Sequence, residues 1–281
     1  MVSSQASPIS ENQRLMVVTD GSPFSDGAIR EAINLAKRCS GKLYIISVLE
    51  MDPEYQPMGD YVPETDTSEI LRHLESSKIR ALQEGVWCET IFRETLQSAY
   101  QEIIAESAKM QIDMIIIGRR GYTGVTKLLK SELAAQVIGH TSCKVLVVPR
   151  AATIDYKNLL VAVDGSKHSD AAAYEVINIA KRMGSNIVVI SAGRVESELA
   201  DAKINVERVF ELSKQANIQV KTLTPVGKPY EVIANTAESC RADLIVMGAY
   251  GKSGLKKFLM GSSTENVIAL VGCAVLVVNS R

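Results

Sequence analysis

The chain repeats itself, and this limits the folds open to it more than any other feature. Arg14-Leu-Met-Val-Val-Thr-Asp-Gly-Ser22 matches Asn158-Leu-Leu-Val-Ala-Val-Asp-Gly-Ser166, and Ala36-Lys-Arg38 matches Ala180-Lys-Arg182, both at an offset of 144. Farther on, Asp113 to Gly118 matches Asp243 to Gly248, and Lys144-Val-Leu-Val-Val148 matches Ala274-Val-Leu-Val-Val278, now at an offset of 130. A unit used twice predicts one supersecondary pattern laid down twice. The first copy holds 14 more residues between its second and fourth strands. Met51-Asp-Pro-Glu-Tyr-Gln-Pro-Met-Gly-Asp-Tyr-Val-Pro63, with three prolines and a glycine, is expected to be that insertion and a loop.

Within each copy, strand and helix signals alternate. The second copy reads as strands at 159–163, 187–191, 218–223, 243–247 and 274–278, with helices at about 167–183, 196–216, 228–240 and 262–271. The strands are short, continuous Val- and Ile-rich runs, the pattern of a parallel sheet covered on both faces. Alternating β and α units with right-handed crossovers predict an α/β fold, two repeated doubly wound, Rossmann-like, open five-stranded parallel sheets. Residues 1–12 read as a flexible polar tail, 13–150 as the first domain and 151–281 as the second, with the join near Pro149 to Tyr156. The last strand of each copy is expected at a sheet edge. Two apolar edges in one chain invite pairing into an internal pseudo-dimer.

Bulk numbers narrow the function. A chain of 281 residues is long enough for two ordinary domains. A hydrophobic content of 46%, a charged content of 22% and a net charge of −1 describe a globular protein with no global attraction to nucleic acid or to a membrane surface. No apolar run is long enough to span a bilayer. Cys39, Cys88, Cys143, Cys240 and Cys273 are odd in number and never spaced CxxC, which points to a reducing, cytoplasmic compartment without disulfides.

The chemistry concentrates beyond the fourth strand of the second copy. Gly248-Ala-Tyr-Gly251 is followed, nine residues on, by Gly261-Ser262 at a predicted helix start. Glycines there let backbone N–H groups approach a phosphate, and the helix start adds a favourable dipole. The same residues also suit a tight turn, and Ser262-Ser-Thr-Glu265 reads as a capping box. Asp164, after the first strand, offers acceptors to a ligand, though Asp-Gly-Ser is also good turn and cap chemistry. In such sheets both Asp164 and Gly248 fall on the ligand side, beyond the strand carboxyl ends. Gly248-Ala-Tyr-Gly-Lys-Ser253 is not a P-loop, because two residues rather than four precede the Gly-Lys pair. Lys252, Lys256 and Lys257 add charge nearby, or are simply solvated.

At these residues the chain resembles a tandem universal stress protein, across essentially residues 12–281. Gly248, Gly251, Gly261 and Ser262 match the G-x2-G-x9-G-[ST] pattern of ATP-binding members at every fixed position. The resemblance implies that Asp164 contacts the adenine nucleoside and that Ala192 and Met247 flank it. Ser263 and Thr264 then complete the set at the helix start. It implies ATP, or AMP or ADP, as ligand, with Mg²⁺ carried through the phosphates, and a homodimer or internal pseudo-dimer working in stress survival.

The first copy departs from the pattern. Asp20, Gly118 and Gly121 remain, but Ser131 replaces the third glycine and Glu132 the hydroxyl residue. A carboxylate there repels phosphate and can itself occupy the positive helix start. Gln97 and Ala99 stand where the second copy has Gly227 and Pro229. ATP binding is therefore expected to be weak or absent in the first copy. Arg119, Arg120, Lys127 and Lys130 leave room for a smaller anion or a different nucleotide.

No catalytic constellation stands out. His73, His140 and His168 are scattered, and His168 is expected on a helix surface, near the site mouth at most. Cys143 and Cys273, equivalent across the copies, read as small buried hydrophobes. Leu71-Arg-His-Leu-Glu-Ser-Ser-Lys-Ile79 reads as an amphipathic helix covering the sheet. A slow ATPase and a scaffold with purely structural loops are the competing functions.

Overall fold

The computed structural model describes residues 11–51, 67–119, 132–252 and 260–280. Most of the expected tail and insertion, together with Arg120, Gly121, Lys127, Lys130, Ser131, Lys256 and Lys257, lie outside the described residues, as does the side chain of Glu132.

The first half runs β1 (Arg14–Val18), α1 (Asp26–Cys39), β2 (Lys42–Glu50), α2 (Ser68–Gln83), β3 (Cys88–Thr95), α3 (Ala99–Lys109), β4 (Met114–Arg119), α4 (Glu132–His140) and β5 (Lys144–Pro149). The second half repeats this as β6 (Asn158–Ala162), α5 (Lys167–Met183), β7 (Asn186–Ile190), α6 (Leu199–Gln215), β8 (Val220–Leu223), α7 (Pro229–Ser239), β9 (Leu244–Gly248), α8 (Ser262–Leu270) and β10 (Ala274–Val278). The helix expected from 196 begins instead with a short 3-10 turn at Glu196–Glu198.

The two sheets are one. The strand order is β3-β2-β1-β4-β5-β10-β9-β6-β7-β8. The pairings are parallel within each half, and β5 meets β10 antiparallel, with Leu146 opposite Leu276. The expected pairing of the two apolar edges therefore forms. Alternation along the strands divides the interior into two layers. Leu15, Val17, Leu146 and Leu276 pack under α1, α2, α5 and α6. Met16, Val145, Val147 and Val275 pack under α3, α4, α7 and α8. Each layer runs through both halves, and the strand residues at the junction, such as Val145, Val147, Val275 and Leu276, are buried. The expected amphipathic helix is α2, which buries Leu74 and leaves Leu71 and Ile79 exposed. Among the described residues no helix is long and apolar enough to cross a membrane.

In each half the chain starts at a middle strand, moves outward, then returns to the other side. β6 thus lies between β7 and β9. The crevice at the carboxyl ends of β6 and β9 is where the order reverses, and loops from both strands open there.

Candidate functional site

Asp164 comes off the end of β6, and its carboxylate fastens two loops. Oδ1 accepts from the Ser166 N–H at 3.0 Å, and Oδ2 accepts from the Lys252 N–H at 2.9 Å. It does not cap the next helix. Ser166 does, its hydroxyl accepting from the Ser169 N–H at 3.2 Å.

The motif glycines are closely packed by the protein itself before any ligand is considered. A Cβ on Gly248 would stand 2.8 Å from the His168 backbone, because α5 starts directly against β9. A Cβ on Gly251 would stand 2.6 Å from Asp164 Oδ2. At Gly261 it would press on the Ala249 carbonyl at 3.2 Å. The first half keeps Gly118 for the same reason, since a Cβ there would lie 2.5 Å from the Phe24 carbonyl. The glycine pattern alone is thus a signature of loop packing.

The start of α8 is built differently. The expected capping box beginning at Ser262 does not form. Gly261 is the N-cap, its residue type offers no side-chain acceptor, and Ser262 is already the first helical residue. The register is set by the Gly261 N–H donating to the Ala249 carbonyl at 2.9 Å, which pulls the chain one residue earlier into the turn. The N–H groups of Ser262, Ser263 and Thr264 therefore lack an intrahelical acceptor, as the first turn of any helix does. Thr264 is buried, and its hydroxyl donates to the Gly248 carbonyl at 2.9 Å, locking α8 to the end of β9.

A cleft of about 710 Å³ opens between these pieces. It is bordered by Asp164, Ala192, Met247, Gly248, Gly251, Gly261, Ser262, Ser263 and Thr264, so the residues singled out from sequence meet at one place. The rest of its wall comes from the segment after β7, from α6 and from the start of α7, and the α6 residues were marked by no motif. Asn205 is buried there and donates to Ser191 Oγ at 3.3 Å. Arg194 is exposed at the rim, its N–H held by Glu198 at 2.7 Å. Lys252 Nζ lies 3.8 Å from Asp201 across the mouth. Charged and amide residues in the first turns of a helix look like ordinary surface in sequence. Only the fold brings them to Asp164.

His168 is not a plain surface histidine. Its ring lies 5.1 Å from that of Tyr250, and Nδ1 accepts from the Ser280 N–H at 3.1 Å. Burial pushes its pKa down, with Lys167 adding to the effect. Cys143 is buried and Cys273 half-buried, and burial pushes the Cys273 thiol up to about 11.

At the equivalent end of the first half, described side chains bond to one another. Thr19, which stands where the second half has Val163, bonds Ser25 Oγ at 2.7 Å and His73 Nε2 at 2.9 Å. Ser25 in turn donates to the Ser22 carbonyl at 2.8 Å. With that donor engaged, Thr19 donates to Ser25 and His73 donates to Thr19. The chain ends on a carbonyl and generates no nucleophile. β2 and β3 stay paired out to Glu50 and Thr95, and the second half stays hydrogen-bonded to a similar depth past the β7–β8 ladder, the Ser191 N–H donating to the Leu223 carbonyl at 3.1 Å and the Gly193 N–H to the Pro225 carbonyl at 3.0 Å. Glu50 accepts from the Ala99 N–H at the start of α3. Pro229, the counterpart of Ala99, has no such donor, and Gly227, with φ of 150°, donates to the Gly193 carbonyl at 2.8 Å instead.

Comparison with known proteins agrees with this construction. The sequence profile of the universal stress protein family matches twice, over residues 11–149 and 155–279. A universal stress protein of Methanocaldococcus jannaschii is 34% identical over 139 residues, covering 44% of this chain and 82% of that protein. Among solved structures, a universal stress protein from Archaeoglobus fulgidus superposes with a TM-score of 0.71 at 20% identity, covering 95% of this chain and 98% of that one. A Pseudomonas aeruginosa protein of unknown function gives 0.66 at 21% identity, covering 95% and 92%. The two structures share the fold, and the doubled profile match assigns the family: this chain belongs to the universal stress proteins, with the family's unit present twice.

Proposed function

We propose that the cleft of the second half binds an adenine nucleotide, ATP or its AMP or ADP forms, and that the protein acts in a cytoplasmic stress response through that occupancy. One observation carries the reading: the uncapped N-terminus of α8 and the Asp164 carboxylate open onto the same cleft. The first offers three N–H donors and a helix dipole to phosphate. The second offers acceptors to the hydroxyls or amino group of a nucleoside. Hydrogen bonds to a charged group contribute about 1.5–3 kcal/mol each, so three approach the roughly 8 kcal/mol of micromolar affinity. The cleft volume falls in the usual range for small-molecule sites, about 300–1,000 Å³. Mg²⁺ would come with the nucleotide, held by phosphate and water.

Binding is favoured over turnover by the state of the cleft's carboxylates. Asp164 accepts two backbone N–H groups, Glu198 accepts one, and Asp201 faces Lys252. Isothermal titration of the full chain with ATP tests the assignment, using wild type and Gly261→Glu. Saturable binding in the wild type and its loss in the variant are expected. Equal heats from the two proteins would remove the site. Phosphate release that persists through purification and vanishes in the variant would favour the ATPase reading.

A further inference from the structure

The two pieces of the second half's glycine motif are each tied to the first half. Tyr250, inside Gly248–Gly251, donates its hydroxyl to the Gly139 carbonyl at the end of α4, at 3.1 Å. Its ring rests on His168, and its own carbonyl accepts from Ser166 Oγ at 3.3 Å. On the other side, Arg119 at the end of β4 donates to the Ile268 carbonyl in the last turn of α8. That helix presents its opposite end to the cleft. Both acceptors are among the terminal carbonyls that a helix leaves unsatisfied, and a guanidinium at a helix C-terminus also suits the dipole. The links are not copies of one another. At the offset of 130, Arg119 stands opposite Ala249, so each half reaches across with a different residue. Asn279, beyond β10, reinforces the α4 end by donating to Ile138 and Thr141 carbonyls at 3.3 and 3.0 Å.

We propose that the first half serves as a buttress for the second half's site, with Tyr250 and Arg119 as positioning residues. Tyr250 holds the loop Gly248–Lys252 and Arg119 holds α8, so the first half anchors both jaws of the motif from outside, in addition to the Thr264–Gly248 and Gly261–Ala249 bonds that join them within the second half. This gives that half a task that does not depend on its own altered loop. The functional consequence rests on the nucleotide reading above. The geometry does not.

Two measurements on the full chain separate these. Amide exchange in the ligand-free protein is followed by NMR at Ala249, Lys252, Gly261 and Glu265, each of which donates a backbone hydrogen bond in or beside the site. ATP affinity is measured by titration. The variants are Tyr250→Phe, Arg119→Met and the pair, with Tyr230→Phe as control, since that hydroxyl donates to the neighbouring Glu231 on α7 and not, among the described residues, to the first half. Exchange at the four amides is expected to quicken about fivefold in each single variant, and ATP binding to weaken about three- to tenfold, both more in the pair. The control should move neither. Unchanged exchange at the four amides in both single variants would overturn the buttress, even if the pair failed to fold. A wild type that binds no ATP would end the nucleotide reading, while the exchange data would still decide the buttress.

Discussion

Replacing Lys144 by Met tests how the two halves are joined. Lys144 opens β5 in the first half, and Glu175 sits on α5 in the second. Their charged ends are 2.8 Å apart, with side-chain exposures of 9% and 4%. Methionine keeps the length and apolar stem of lysine but removes the ammonium. The buried carboxylate must then stay charged without its partner or take up a proton. Breaking a buried pair from one side costs about 3–5 kcal/mol. Protonation sets a ceiling: holding an ordinary glutamate, with a pKa near 4.3, neutral at pH 7 costs about 3.7 kcal/mol. A loss of about 3–4 kcal/mol at pH 7 follows. At roughly 2–4 °C per kcal/mol for chains approaching this size, the melting temperature should fall by about 10 °C. The sign of the pH dependence is specific. A carboxyl held neutral in the fold loses less stability as pH falls towards its unfolded pKa, so the deficit of Lys144→Met relative to wild type should shrink between pH 7 and pH 5. The double variant Lys144→Met/Glu175→Leu should recover most of the loss, because it leaves no charge behind. Differential scanning calorimetry at the two pH values decides. A melting temperature within 2 °C of wild type at pH 7, or a deficit that grows at pH 5, would refute the reasoning.

Gly251→Ala should abolish detectable ATP binding and lower stability by about 1–3 kcal/mol, since the new methyl meets Asp164 Oδ2 at 2.6 Å; titration and thermal melts measure both. His168 has a pKa depressed by burial, so its neutral form is favoured in the fold. The unfolded chain takes up the proton first as pH falls through about 6.5, and that contribution to stability is lost below it. Wild type should therefore destabilise from pH 7 to 5 more than His168→Gln, by denaturant melts at each pH. Cys88 and Cys273, both with thiols pushed up to about 11 by burial, should resist alkylation at pH 7.5 in native protein and react fully in denaturant, as mass spectrometry of labelled peptides would show.

Much of the architecture is legible in the chain because it depends on local patterning. Apolar runs of five residues such as Ala274–Val278, set between amphipathic helices, can bury both faces only in a covered parallel sheet. The β5–β10 junction was legible for a related reason, since an apolar edge must pair or be covered. The site was half legible. Asp164 and the glycines announced themselves by residue type and spacing, yet the roles of Gly248 and Gly251 were not visible. Those roles depend on the backbone of α5 and on a carboxylate more than 80 residues away. The capping register of α8 was misjudged because Ser262 is a good N-cap by type. The Gly261–Ala249 hydrogen bond, a tertiary contact, moved the boundary by one residue.

By itself, then, the sequence determined the doubled α/β unit, the pairing of its apolar edges and the end of the sheet at which Asp164 and Gly248 emerge, since periodicity and edge chemistry are local. Only the tertiary structure decided what surrounds each end. Thr19 is bonded to His73 and Ser25 in the first half, while its counterpart Val163 has no hydroxyl and lines the cleft of the second. It also decided that Tyr250 and Arg119 cross between halves. Those contacts join residues more than 100 positions apart, and no local pattern encodes a hydrogen bond to a carbonyl at the far end of another helix.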